Sequence, residues 1–75
     1  MQAAYILISC NMGSEQDVLL EIKKIPEVKT AIITYGEYDI VARVETDSEE
    51  QMAQLISSKI RQLQSIRSTV TLHVI

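Results

Sequence analysis

Seventy-five residues, 47% of them apolar, suffice for one domain, predicted to span residues 1–75, but not for a large core. A chain this short buries only about 60% of its unfolded surface; with one cysteine and no disulfide framework, the apolar excess predicts burial between copies. Ten acids against seven bases give a net charge of −3, which argues against unaided binding to DNA, RNA or an anionic membrane.

Residues 3–10 read as a strand, apolar on both faces and so expected to be covered on both. The first residues carry no basic segment, and the apolar run 3–8 is too short for a signal peptide or a membrane span. Together with the lone Cys10 this predicts a reducing, cytoplasmic setting. Asn11-Met12-Gly13 is a loop. Ser14 is a good N-cap, with Asp17 completing a variant capping box. A helix then runs to about Lys24, with Val18, Ile22 and Ile25 on one stripe, and Pro26 stops it. Residues 28–35 form a second, β-branched strand. Gly36 lies between two runs of β-type residues and predicts a tight hairpin, with a third strand over 39–45. Thr46-Asp47-Ser48 opens a second helix, capped either by Asp47 with Glu50 or by Ser48 with Gln51. Met52, Leu55, Ile56, Ile60 and Leu63 recur at helical spacing to about residue 63. Residues 66–75 are the fourth strand. The order is β-α-β-β-α-β.

The halves echo each other at an offset of 38 residues: Lys23, Ile25, Val28, Lys29 and Thr30 fall on Arg61, Leu63, Ile66, Arg67 and Ser68. This supports an α+β, ferredoxin-like sandwich, a four-stranded antiparallel sheet with both helices on one face. Strand alternation then assigns Ala4, Ile6, Ile8, Ile32, Ile40, Ala42, Val44, Val70, Leu72 and Val74 to the helix side. Tyr5, Leu7, Ala31, Ile33, Tyr35, Val41, Arg43, Thr69, Thr71 and His73 fall on the other side. That second face is too apolar for a solvated sheet, which predicts a sheet-to-sheet homodimer. Its expected interface residues are Tyr5, Leu7, Ile33, Tyr35, Val41, Arg43, Thr71 and His73.

Catalysis has little support. His73 and Cys10 lie at opposite ends of neighbouring antiparallel strands, which excludes a Cys–His pair or a metal pair within one subunit. The two glycines form no phosphate-cradling loop, and the three methionines are scattered. No cofactor, metal site or catalytic residue is expected. Glu49 and Glu50 suit a helix start, and Lys59, Arg61 and Arg67 read as a solvated basic group or an oligomer ion pair. The stretch Tyr35-Gly36-Glu37-Tyr38-Asp39 is the one place where a glycine, aromatic rings and acids converge. It is either a ligand site or a hairpin whose tyrosines pack and whose acids face water.

Ile25-Pro26-Glu27-Val28, then Tyr35-Gly36-Glu37-Tyr38-Asp39-Ile40-Val41-Ala42-Arg43-Val44-Glu45, then Ile60-Arg61 and Ser68-Thr69-Val70-Thr71-Leu72, resemble the effector-binding RAM domain of the Lrp/AsnC regulators. The resemblance covers essentially the whole chain. It implies a non-enzymatic amino-acid-binding domain of a transcription regulator, dimeric through its sheets, with dimers assembling into rings, often octamers. It implies an amino acid bound near the Gly-acid-Tyr-Asp turn. The full-length pattern includes a helix-turn-helix for which these residues leave no room, so a stand-alone form is expected, acting on DNA only through full-length relatives. In such a site Asp39, then Glu37, suit the ligand ammonium. The amides around Gly36 suit its carboxylate. Tyr38 offers a ring wall, and Ser68, Thr69 and Thr71 offer hydroxyls. The competing readings are an ACT-like amino-acid module, a partner subunit that binds no ligand, and a small ferredoxin-like enzyme using Tyr5, Tyr35 or His73.

Overall fold

In the computed structural model, which describes residues 1–75, the chain forms β1 (Gln2–Cys10), α1 (Glu15–Lys23), β2 (Val28–Ile33), β3 (Ile40–Thr46), α2 (Glu49–Gln54) and β4 (Ile66–His73). All neighbours in the sheet are antiparallel, in the order β2-β3-β1-β4. This is the ferredoxin-like arrangement expected from the sequence. The central strands supply Ala4, Ile6, Ile8, Ile40, Ala42 and Val44 to the core; α1 adds Val18 and Ile22. Met52, Leu55 and Ile60 close it from the second helical segment.

Local chemistry decides the helix starts. Ser48 accepts from the Gln51 N–H at 3.2 Å, and Gln51 Oε1 accepts from the Asp47 N–H at 3.0 Å. The Ser48/Gln51 reading therefore holds, with Gln51 reaching back one residue past the cap, to Asp47. At α1 the Ser14/Asp17 box does not form, because the Ser14 side chain makes no capping bond. Gly13, at φ +85, turns the chain so that its own N–H donates to Glu15 Oε1 at 2.8 Å. The second helix is α-helical only to Gln54; Leu55–Ile60 continues as a π-helical turn, closed by the Arg61 N–H on the Ile56 carbonyl at 2.8 Å. Ser57 Oγ donates back to the Ala53 carbonyl at 2.9 Å, a contact that competes with the helical ladder.

The hairpin is wider than predicted. β2 ends at Ile33 and β3 begins at Ile40, leaving a six-residue connection over 34–39. Thr34 closes it twice, by its N–H to the Asp39 carbonyl at 2.9 Å and by its Oγ1 to the Tyr38 carbonyl at 2.8 Å. Gly36 sits at φ +120 in its middle.

The larger correction concerns which side chains face the helices. Val28 pairs with Val44, but Thr30 pairs with Arg43, so Lys29 is an extra residue, a β-bulge. Ile66 pairs with Cys10, but Ser68 pairs with Ser9, so Arg67 is a second bulge. Each bulge inverts the alternation of the strand that follows it. Ala31 therefore faces the core at 6% exposure, and Ile32 lies on the open face at 59%. Ile33, Thr69, Thr71 and His73 fall on the helix side, opposite Ile40, Ile8, Ile6 and Ala4. Val70 and Leu72 move to the open face, opposite Leu7 and Tyr5. That face is thus more apolar than expected: Tyr5, Leu7, Ile32, Val41, Val70 and Leu72, with one ion pair, Arg43–Glu45, beside Tyr5.

Candidate functional site

Asp39 organises the turn. Its N–H donates to the Ile8 carbonyl at 2.8 Å, and its Oδ2 accepts from the Cys10 N–H at 2.9 Å. The carboxylate thereby ties the start of β3 to the last residue of β1. Glu37 follows the same path: its carbonyl accepts from Ser9 Oγ at 3.4 Å. The turn is folded back against the end of β1 rather than standing free in solvent.

An open cleft of about 550 Å³ lies where this turn, the loop after β1 and the start of β4 meet. Glu37, Asp39, Glu15, Ser9, Ser68 and Arg67 give it its polar lining; Cys10 and Met12 give the apolar part. Of the residues expected from the sequence, Glu37, Asp39 and Ser68 come together here. Gly36 is exposed in the adjoining turn, and half-buried Tyr38 contributes its carbonyl to the Thr34 closure. Thr69 and Thr71 do not join the cleft. Thr71 and His73 instead line a separate groove with Arg61, Glu49 and Ile56. Tyr35 is fully exposed at the outer side of the turn. Ser9, Cys10, Met12, Glu15 and Arg67 are the members that sequence reasoning missed. For Arg67 the sequence carried no signal: its repeat-mate Lys29 is also basic and also a bulge residue, but it lines a different cleft.

Three carboxylates face one guanidinium, so the cleft carries negative potential and suits a ligand with an ammonium group. Asp39 and Glu15 each hold a backbone N–H with one oxygen, which fixes their position. The Glu37 carboxylate is not in any of the chain's ion pairs. Burial, reinforced by the carboxylates of Asp39 and Glu15, pushes the Cys10 thiol above its ordinary value of 9.0. Cys10 is thus a protonated thiol at neutral pH and a poor nucleophile. His73 pairs with Ala4, at the far end of β1 from Cys10, as the strand order requires.

The comparisons with known proteins point the same way. The family model described as the Lrp/AsnC ligand binding domain matches residues 3–75. An uncharacterised HTH-type transcriptional regulator of Pyrococcus furiosus is 31% identical over 72 residues, 92% of this chain. The chain spans about half the length of the curated relatives it matches, 48% in that case. The crystal structure of FFRP-DM1 superposes with a TM-score of 0.97 at 40% identity, covering 100% of both chains. Escherichia coli AsnC superposes at 0.94 with 27% identity, over 99% of this chain and 50% of its own. With the sheet order, the turn folded against β1 and a family match over nearly every residue, the chain belongs to the Lrp/AsnC family, as its ligand-binding domain.

Proposed function

We infer that this chain is a non-enzymatic amino-acid sensor of the cytoplasm, which modulates transcription or amino-acid metabolism through ligand-dependent assembly. The observation that carries this reading is the cleft at the Glu37–Asp39 turn, where fixed carboxylates and the hydroxyl-bearing Ser9 and Ser68 line one concave surface. An ammonium group in this cleft would donate charge-assisted hydrogen bonds to Asp39 or Glu37. A Neisseria meningitidis regulator of the same fold was solved as a complex with L-Met, at 16% identity and a TM-score of 0.90, which supports an amino acid as the ligand class.

The open sheet face supports the assembly half of the reading. Tyr5, Leu7, Ile32, Val41, Val70 and Leu72 form an apolar surface that a second copy would bury sheet to sheet. Dimers then join into higher rings, or into mixed assemblies with full-length relatives that carry the DNA-binding half. Alone, the chain is expected to bind no DNA at physiological salt.

A thermal-shift screen of the twenty amino acids tests the sensor reading. A ligand at a hundredfold over its Kd stabilises the folded assembly by about 2.7 kcal/mol. That is a shift of about 10–20 °C for a domain of this size. A shift with a few chemically related amino acids is the expected result. No shift at millimolar concentration favours a second reading, a partner subunit that binds no ligand. The Asp39–Cys10 bond favours that one, because it gives the turn a structural task that needs no ligand.

A further inference from the structure

The open sheet face carries one pair of opposite charges, Arg43 and Glu45. They lie two residues apart on β3, one of the two central strands, and alternate with the buried Ala42, Val44 and Thr46. Both therefore point away from the helices. Arg43 stands opposite Tyr5 of β1 and Thr30 of β2, and Glu45 stands opposite Ala3. Along the regular ladders no other charged residue falls on that side; the neighbours are Leu7, Ile32, Val41, Val70 and Leu72. The side chains of the pair are only 34% and 22% exposed in the single chain, so they lie down on the sheet. A second sheet stacked there would take what remains out of water. An ion pair under a purely apolar cover loses more in solvation than it returns. This one also has unused capacity. Its bond runs from Nη1 to Oε2, which leaves the other guanidinium N–H groups and Oε1 without a partner. A cover that suits the face must therefore bring both an acceptor and a donor to β3.

We propose that Arg43 and Glu45 select the partner of this face, by forming reciprocal ion pairs with Glu45 and Arg43 of a second copy. The proposal rests on the sheet-to-sheet assembly read from the apolar face and adds what decides which face is accepted. A second copy brings the acceptor and the donor together. Where β3 crosses its counterpart about a two-fold axis between positions 43 and 45, each arginine meets the other chain's glutamate. The apolar neighbours supply attraction, but they would accept any apolar surface of the right shape. The two charges add register and selectivity. A face with like charges at both positions is rejected, because it sets them against each other where water is excluded. A copy of this chain is admitted, and so is a relative with an arginine and an acid at the same two positions.

The test uses the whole chain as wild type, Arg43→Glu, Glu45→Arg and the double exchange Arg43→Glu with Glu45→Arg. Sedimentation velocity reads self-association, native mass spectrometry of isotope-labelled mixtures reads mixed dimers, and circular dichroism checks the fold. Arg43→Glu presents two acids and Glu45→Arg two bases. Each should lose self-association by roughly 30-fold or more. Mixed one to one, the two should recover dimers that contain both. The double exchange keeps an ion pair within the chain, so it isolates selectivity from folding. It should form dimers with itself and no mixed dimers with wild type. A double exchange that mixes freely with wild type overturns the proposal while leaving the sheet-to-sheet reading standing, and it decides the matter even where a single variant fails to fold. Folded single variants that do not recover on mixing, or that self-associate like wild type, overturn it as well. A wild type that is monomeric at micromolar concentration removes the sheet-to-sheet reading, and the proposal with it.

Discussion

Asp39 is asked to do two things, and its two oxygens separate them. Oδ2 accepts from the Cys10 N–H, half-buried, while the charge of the group remains available to a ligand. Asp39→Asn keeps an acceptor for Cys10 and removes the charge. Ligand binding should therefore weaken by roughly 1.5–3 kcal/mol, while stability changes little. Asp39→Ala leaves the Cys10 N–H without a partner and should cost about 1–3 kcal/mol of folding stability as well. Urea melts of both variants, beside calorimetric titration, separate the two roles; equal stability of the Asn and Ala forms would remove the structural one. Gly36 acts through its backbone alone. Nothing lies within 4 Å of where a Cβ would stand, but φ is +120. Gly36→Ala should thus destabilise by about 1 kcal/mol or more through strain rather than collision. The acid-rich turn was legible in the sequence because glycine, tyrosines and carboxylates crowd together there. What was not legible was the acceptor role of Asp39 toward Cys10, a contact 29 residues away that only the strand pairing creates.

At the scale of elements, periodicity found every strand and both helices, and it failed wherever one extra residue entered a regular ladder. The bulges at Lys29 and Arg67 change no residue type and leave no mark in hydropathy, yet each inverts the alternation of the strand after it. Ile32, Val70 and Leu72 were assigned to the core for that reason and lie on the open face. The two bulges occupy equivalent positions of the internal repeat, an equivalence that only the strand pairing reveals. The π-helical turn is a third inserted step of the same kind. It brings Leu55 and Ile60, five residues apart, into the core together at 3% and 0% exposure. Ile60→Ala should therefore cost about 2–5 kcal/mol, readable as a lower urea midpoint. This segment is also tied to the start of β2 by Lys59 and Glu27 at 3.3 Å. A backbone hydrogen bond, then the Lys59 ammonium and the charge of Lys29, hold Glu27 below its ordinary 4.5. A depressed carboxyl stabilises above its unfolded pKa and loses that contribution as pH falls through the folded one. Both side chains are about a third or more exposed, so screening keeps the effect under about 1 kcal/mol. Glu27→Gln should be slightly less stable than wild type at neutral pH and indistinguishable from it in acid.

For the whole molecule, the inverted alternation changes which substitutions should break the assembly. Both central strands put apolar residues on the open face as expected, through Tyr5, Leu7 and Val41. β4 contributes Val70 and Leu72 to that face, while Thr71 and His73 turn toward the groove beside Ile56 and Arg61. Simple alternation along the sequence would give the reverse. Two adjacent positions therefore make a sharp comparison. Leu72→Lys places an ammonium on the edge-strand side of the apolar face, opposite Tyr5, where a second sheet would have to desolvate it. That variant should sediment as a monomer at micromolar concentration, or fall out of solution if the monomer cannot bury enough surface to stand alone. Thr71→Lys puts the same charge on the other side of the strand, at the edge of an open groove. It should keep the wild-type mass. Sedimentation velocity of the two variants decides between the faces: if Thr71→Lys dissociates the assembly and Leu72→Lys does not, copies meet through the helix side, and the apolar face of Tyr5, Leu7, Ile32, Val41, Val70 and Leu72 needs another occupant.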